Sequence, residues 1–328
     1  MKRWKLMGIV MCMSLMVCGC GSEEKTDGNK EVTLILDYLP NTNHTGIYVA
    51  QEKGFFEANG LQVKIIEPGE NETSATLVAV GKGEFGVSYQ EDVTYARSAE
   101  QPLPIRAIAT ILQHNTSGFV SLKSENIQSP KDFEGKVYAG WQAPSEEAVI
   151  QAVMKQNQAD FSKLTMVGAD GSGFASLGKT VDLQWDFEGW AVLKGKMDGY
   201  DLNYMPLKDL DARLDYYTPL IITNETMMDE DPETVKKMVA ALKQGYEYAI
   251  DHPEESAEIL HKYLPDTDID FLKQSQAYLS KEYRKDASTW GVMKDEVWDR
   301  YTDFMVEYGL IEKKIDAKDQ YTNAFIQE

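Results

Sequence analysis

Short apolar runs alternate with stretches of helical period over most of the chain. Residues 32–36 (VTLIL) predict a buried strand, residues 45–56 a helix closed by Gly54 and Gly60, and residues 61–66 a second strand. Residues 72–80 predict another helix and 84–88 another strand. Such a βαβαβ opening calls for a parallel sheet with helices on both faces. The pattern then restarts, with strand 136–139, helix 145–156, strand 164–167, and strand 181–184 feeding a helix over 188–194. A second α/β unit therefore follows the first.

The last third changes character. Asp231-Pro232 reads as an N-cap with proline at the first helical position, and Val235, Met238, Val239, Leu242, Tyr246 and Ala249 then recur at spacings of three and four. Val297, Tyr301, Phe304, Met305 and Tyr308 form a second stripe, ended by Gly309. Both stripes read as ordinary core.

The first 20 residues read as an address. Lys2, Arg3 and Lys5 precede an apolar run from Leu6 to Val17, which has the length of a signal core (~7–15 residues) and falls short of the ~20 needed to span a bilayer. The run ends in Val17-Cys18-Gly19-Cys20, which resembles a bacterial lipobox, so Cys20 is the expected lipidation site and residues 1–19 the expected signal peptide. Residues 20–31, nearly free of apolar side chains, read as a flexible tether. The three cysteines all lie within these 20 positions, which excludes a disulfide scaffold and leaves the mature domain without thiol chemistry.

Length and charge add limits. At ~100–200 residues per domain, 328 residues suit two globular units or one bilobal one. With 53 acidic against 33 basic side chains, the formal charge of −20 argues against nucleic acid as a partner, because phosphates are repelled. The four histidines, His44, His114, His252 and His261, are too far apart for a zinc helix motif, so no metal is expected. No phosphate-binding loop or nucleophile elbow is present, and the glycines of residues 168–173 read as a loop. No cofactor and no catalytic residue is expected.

What the chain does carry is polar and aromatic clusters where strands end, the edge at which open α/β sheets bind ligands. They are DYLPNTNHTG at residues 37–46, SYQED at 88–92, GWQAPSE at 140–146 and WDFE at 185–188. Rings beside hydrogen-bonding groups suit a flat heteroaromatic ligand. Tyr38, Asn41, His44, Tyr89, Trp141, Ser145, Glu146, Trp185 and Glu188 are the candidate ligand-binding residues. Each has a plainer reading as well: Tyr38 and Tyr89 as core aromatics, Asn41 as a turn residue, Ser145 and Glu146 as helix-start residues. Glu188 stands out as a carboxylate set among Trp185, Phe187 and Trp190, where an unpaired charge is costly. Trp190 reads as packing on the sheet through its helix.

Residues 37–46, the following YVAQEKGFF, GWQAPSEE at 140–147, residues 185–190, LDYYTP at 214–219 and GLIEKKI at 309–315 together resemble the ThiY-like, NMT1/THI5-type (SsuA-like) solute-binding lipoproteins of ABC importers. The resemblance implies a bilobal type II periplasmic-binding-protein fold, two α/β lobes joined by a two-strand hinge with a helical C-terminal segment packed on the first lobe. It places residues 32–112 and 217–328 in one lobe and 113–216 in the other, with crossings near residues 110–115 and 216–219. It implies a ligand of the thiamine-pyrimidine type, formylaminopyrimidine or hydroxymethylpyrimidine, with Glu188 on its amino edge.

The same resemblance implies binding rather than catalysis, with a permease and an ATPase as partners. It implies a monomer anchored outside the cytoplasm to the bacterial membrane through Cys20. Relatives that bind riboflavin, sulfonates or nitrate supply the alternative ligands. The pyrimidine synthases of the same superfamily supply the enzyme alternative, whose cysteine-rich motif this chain lacks beyond Cys20. The strand-end loops contain no arginine, which favours a neutral or cationic ring over a sulfonate. Arg97 reads as a helix-surface residue and Arg106 as a strand-start residue.

Overall fold

The computed structural model describes residues 28–69 and 72–326. The expected signal peptide, Cys20 and the first part of the tether lie outside them. Ten strands form two sheets of five. The first holds β1 (Lys30–Ile35), β2 (Leu61–Ile66), β3 (Phe85–Ser88), β4 (Ile105–Thr110) and β10 (Leu220–Asn224) in the order β2-β1-β3-β10-β4. The second holds β5 (Ser117–Leu122), β6 (Val137–Gly140), β7 (Thr165–Gly168), β8 (Leu183–Phe187) and β9 (Leu202–Pro206) in the order β7-β6-β8-β5-β9. Each sheet has a parallel trio and one antiparallel strand inserted beside it, β10 in the first and β5 in the second. The sheets are thus mixed, where the βαβ pattern predicts purely parallel ones.

Two boundaries differ from the sequence reading. Lys30 and Glu31, expected in the tether, already pair with Leu61 and Gln62. Residues 185–187, expected beyond the end of a strand, belong to β8 itself and pair with Ser117, Gly118 and Phe119.

Leu34, Ile35 and Leu36 are wholly buried in succession because helices cover both faces of the first sheet. The helix Thr45–Glu52 lies against the helix Pro232–Asp251, and glycine sets how closely. A Cβ at Gly245 would fall 2.1 Å from the carbonyl of Gly46, so a larger residue there forces the helices apart. Asp231 caps the longer helix by accepting from the Thr234 N–H at 3.2 Å, and its apolar stripe is buried. The helix Asp295–Glu307 reaches both lobes: Val297 and Trp298 pack with first-sheet residues, while Tyr301, Phe304 and Met305 join the core around Phe119 and Tyr138. The C-terminal helices therefore pack on the first lobe and also extend to the second. Among the described residues no helix is long and apolar enough to cross a membrane.

The chain passes between the sheets twice, through residues 111–116 and 207–219, and the two passages bind each other. Ile111 donates to Pro219 O at 3.0 Å, and Asn115 spans to Leu214 O at 2.9 Å and to the Asp215 carboxylate at 3.0 Å. His114 Nδ1 meets the other Asp215 oxygen at 2.7 Å, and that hydrogen bond raises the imidazole pKa above its ordinary value against the opposing effect of burial.

A native pKa above the unfolded one makes the histidine's contribution complete below about pH 6.5 and removes it as pH rises through the elevated native value. In His114→Asn, thermal melts should fall furthest below the natural protein near pH 5.5 and approach it near pH 8.5. A gap independent of pH would show that the Asp215 pairing is not what the imidazole contributes.

Candidate functional site

The loop after β1 is built around a buried histidine. Asn41 caps the turn Thr42–His44 by accepting from the Asn43 N–H at 2.9 Å, and its amide nitrogen donates to Leu39 O at 3.1 Å. His44 Nδ1 accepts from the Asn41 N–H at 3.2 Å, so the proton sits on Nε2 and is donated to Asp37 Oδ1 at 2.7 Å. His44 is fully buried and both polar ends of Asn41 are engaged within the loop. These two candidates support the loop rather than face a ligand, because its own backbone donors and acceptors need them. What the loop presents is Tyr38, 68% exposed, with the Asp37 carboxylate fixed in orientation beneath it.

After β3, half-buried Tyr89 opens the helix Gln90–Ser98 among three carboxylates. Burial, then the charges of Asp92, Asp37 and Glu91, push its phenol pKa up. Asp92 is raised to about 7, chiefly by burial and then by Glu91. Glu91 accepts from Tyr301 at 2.7 Å. Ser145 is buried in the first turn of the helix Pro144–Gln156.

On the second lobe, Glu146 is fully buried at the start of the helix Pro144–Gln156. Its carboxylate accepts from the Gln142 N–H at 2.7 Å, the Trp141 N–H at 3.2 Å and the Tyr138 hydroxyl. The helix N-terminus and these donors compensate the charge, and Glu146 thereby holds the Trp141 loop. A Cβ at Gly140 would stand 1.8 Å from that carboxylate, so the site requires glycine. Trp141 is 56% exposed and its ring lies 5.0 Å from that of Trp185, which is buried edge-on against Phe119 at 5.9 Å.

Glu188 follows β8 on a single π-turn, half-buried, with its Oε2 accepting from Tyr278 at 2.8 Å. Trp190 packs edge-on against Phe271 of the helix Ile269–Glu282, at 4.8 Å, rather than on its own sheet. Next to it a hollow of ≈ 630 Å³ is lined by Asp186, Gln184, Phe174 and Tyr200. Asp186 is raised to about 7 by burial alone.

The structure thus leaves Tyr38, Tyr89, Trp141 and Glu188 as rings and one acid at the strand ends, with Trp185 buried within β8 behind Trp141 and with Asn41, His44, Ser145 and Glu146 also behind them. Asp37, Asp92 and Asp186, which sequence reasoning passed over, add three carboxylates; each lies one to three residues from a strand-end aromatic. Arg97 and Arg106 are spent elsewhere, on Glu225 at 3.0 and 2.9 Å. Among the described residues no group of three or more His, Cys, Asp or Glu is placed to hold a metal ion.

Two five-stranded mixed sheets, each with an antiparallel strand that crosses over from the other lobe, and ligand-type loops at the strand ends between them define a bilobal periplasmic-binding-protein fold. The chain belongs to the NMT1/THI5-like family, whose model matches residues 41–256. It is 23% identical to the formylaminopyrimidine-binding protein of Halalkalibacterium halodurans, with 98% of this chain and 99% of that one aligned. It is also 23% identical to a 4-amino-5-hydroxymethyl-2-methylpyrimidine phosphate synthase of Legionella pneumophila, over 90% of this chain and 92% of that one. In fold it matches the periplasmic aliphatic sulphonate-binding protein SsuA of Escherichia coli, with a TM-score of 0.69 at 13% identity over 89% of this chain and 91% of that one.

Because burial raises the Asp186 carboxyl to about 7, the folded protein binds a proton there that the unfolded chain releases near pH 4. Stability from this group falls as pH rises between those values. Asp186→Asn should therefore melt higher than the natural protein at pH 8 and nearly level with it at pH 4.5. An equal or lower melting temperature at pH 8 would mean that the carboxylate is not buried unpaired.

Proposed function

We propose that this protein is the extracytoplasmic solute-binding component of an ABC importer. It closes its lobes on a small heteroaromatic ligand and delivers it to a membrane permease with its ATPase. The observation that carries this reading is the pairing of ring platforms with carboxylates. Exposed Tyr38 and half-buried Tyr89 lie on one lobe, exposed Trp141 backed by Trp185 on the other, and Glu188, Asp186 and Asp92 stand beside them. The four loops contain no lysine or arginine, so an anion would meet only like charge.

Within that class the favoured ligand is an aminopyrimidine precursor of thiamine. Its faces stack on Tyr38 and Trp141, and its amino edge donates to Glu188. The formylaminopyrimidine-binding relative supports this, since it aligns over nearly the whole of both chains. Attachment through a lipid on Cys20, a monomeric state, and lobes of residues 32–112 with 217–328 and 113–216 are parts of the same proposal. We infer binding without turnover: the synthase relative has the same identity over a smaller share of both chains, and the cysteine-rich motif expected of such enzymes has no cysteine beyond Cys20 to form it here.

Glu188→Gln should weaken 4-amino-5-hydroxymethyl-2-methylpyrimidine by about 1.5 to 3 kcal/mol in calorimetry, the scale of a hydrogen bond to a charged group, while the free protein melts cooperatively at a modestly lower temperature because the bond from Tyr278 becomes a neutral one. Trp141→Ala should cost about 1 kcal/mol of stacking. Thermal-shift screening of pyrimidines, riboflavin and small sulfonates decides the ligand class. Stabilisation by sulfonates alone would reject the pyrimidine.

A further inference from the structure

The turn that carries Glu188 is gripped by a helix from outside its own sheet. From the helix Ile269–Glu282, Tyr278 donates its phenolic proton to Glu188 Oε2 at 2.8 Å, and Ser275 donates to the carbonyl of Gly189. Tyr278 also fills the space above Gly189, where a Cβ would lie 2.8 Å from its ring. The same helix holds the loop after β1. Ser275 Oγ meets Thr42 Oγ1 at 2.6 Å and Tyr283, one residue past the helix, donates to Thr42 O at 2.5 Å. Since the Ser275 proton goes to Gly189, the Thr42 hydroxyl must be the donor in their contact. One helix therefore fixes the turn bearing Glu188 and the loop bearing Tyr38 to each other.

Burial and then the adjacent Glu188 charge push the Tyr278 phenol pKa well up, so it remains a donor at any working pH. We infer that Tyr278 is a positioning residue for ligand capture: it holds Glu188 by one oxygen and leaves Oε1 to accept from the N–H edge of a bound ring. This rests on the proposed reading of Glu188. A free glutamate samples several rotamers, and a carboxylate already held in one of them binds without that ordering cost. The sequence offers no local sign of the pairing, because 90 residues separate the two partners.

The full chain is compared with Tyr278→Phe, Glu188→Ala and the double variant. Without ligand, Tyr278→Phe should lower the melting temperature clearly in the natural background and much less in Glu188→Ala. In calorimetry with 4-amino-5-hydroxymethyl-2-methylpyrimidine, Tyr278→Phe should weaken binding about tenfold, and less than about twofold when Glu188 is already alanine. A residue that merely stabilised the fold would give additive losses in both cycles, and additivity overturns the inference. Weakened binding by Glu188→Ala beside unchanged binding by Tyr278→Phe overturns the positioning role and leaves the reading of Glu188 standing. Unchanged binding by Glu188→Ala removes that reading and the positioning role together, whatever the melting cycle shows.

Discussion

β5 and β10 each run antiparallel inside their sheets at the points where the chain has just crossed from the other one, and the passages leading into them are hydrogen-bonded to one another. Asn115 and Asp215 are the centre of that pairing. The first sheet is completed by β10, which returns after the second sheet is finished, so the first lobe is built from two separate stretches while β5 to β9 form the second from one. The segment after β3 is tied to the second-lobe core as well, through Glu91 accepting from Tyr301 at 2.7 Å. A ligand held between the lobes touches both halves, so its binding free energy is available to bias the halves toward one another.

The chemistry at those strand ends is organised in two layers. The inner layer is fully engaged: His44 with Asp37 and the Asn41 backbone, Glu146 with the Trp141 and Gln142 backbone. Its polar groups were drawn inside because loops that turn sharply at a buried edge leave backbone donors which need acceptors. The outer layer is what remains free to meet a solute, namely exposed rings and carboxylates that no lysine or arginine of the same loops neutralises. Burial raises both Asp92 and Asp186 to about 7.

Much of this was legible from residue types alone. The strand at Leu61–Ile66 and the helix start at Asp231 and Pro232 follow directly from apolar periodicity and capping chemistry. Some strands were not legible: β5 (SGFVSL) and β9 (LNYMP) are short and interrupted by small or polar residues, and only their pairing across the sheet makes them strands. The aromatic platforms were legible because loops rarely cluster rings without cause. The division between supporting and presenting groups was not, since Asn41 and His44 differ from Tyr38 only in which way the loop turns them. Asn41 three residues before His44 is the spacing of a capping pair, and that was the one available sign. Asp186 depends on burial and Tyr278 on a contact 90 residues away along the chain, which no local pattern encodes.

The most direct test is a crystal structure of the protein grown with 4-amino-5-hydroxymethyl-2-methylpyrimidine. The ring should lie between a tyrosine of the first lobe and Trp141 of the second, with its amino nitrogen within hydrogen-bond distance of Glu188. A ring bound away from the strand ends, or one that touches a single lobe, would contradict a two-lobed capture site for a heteroaromatic solute.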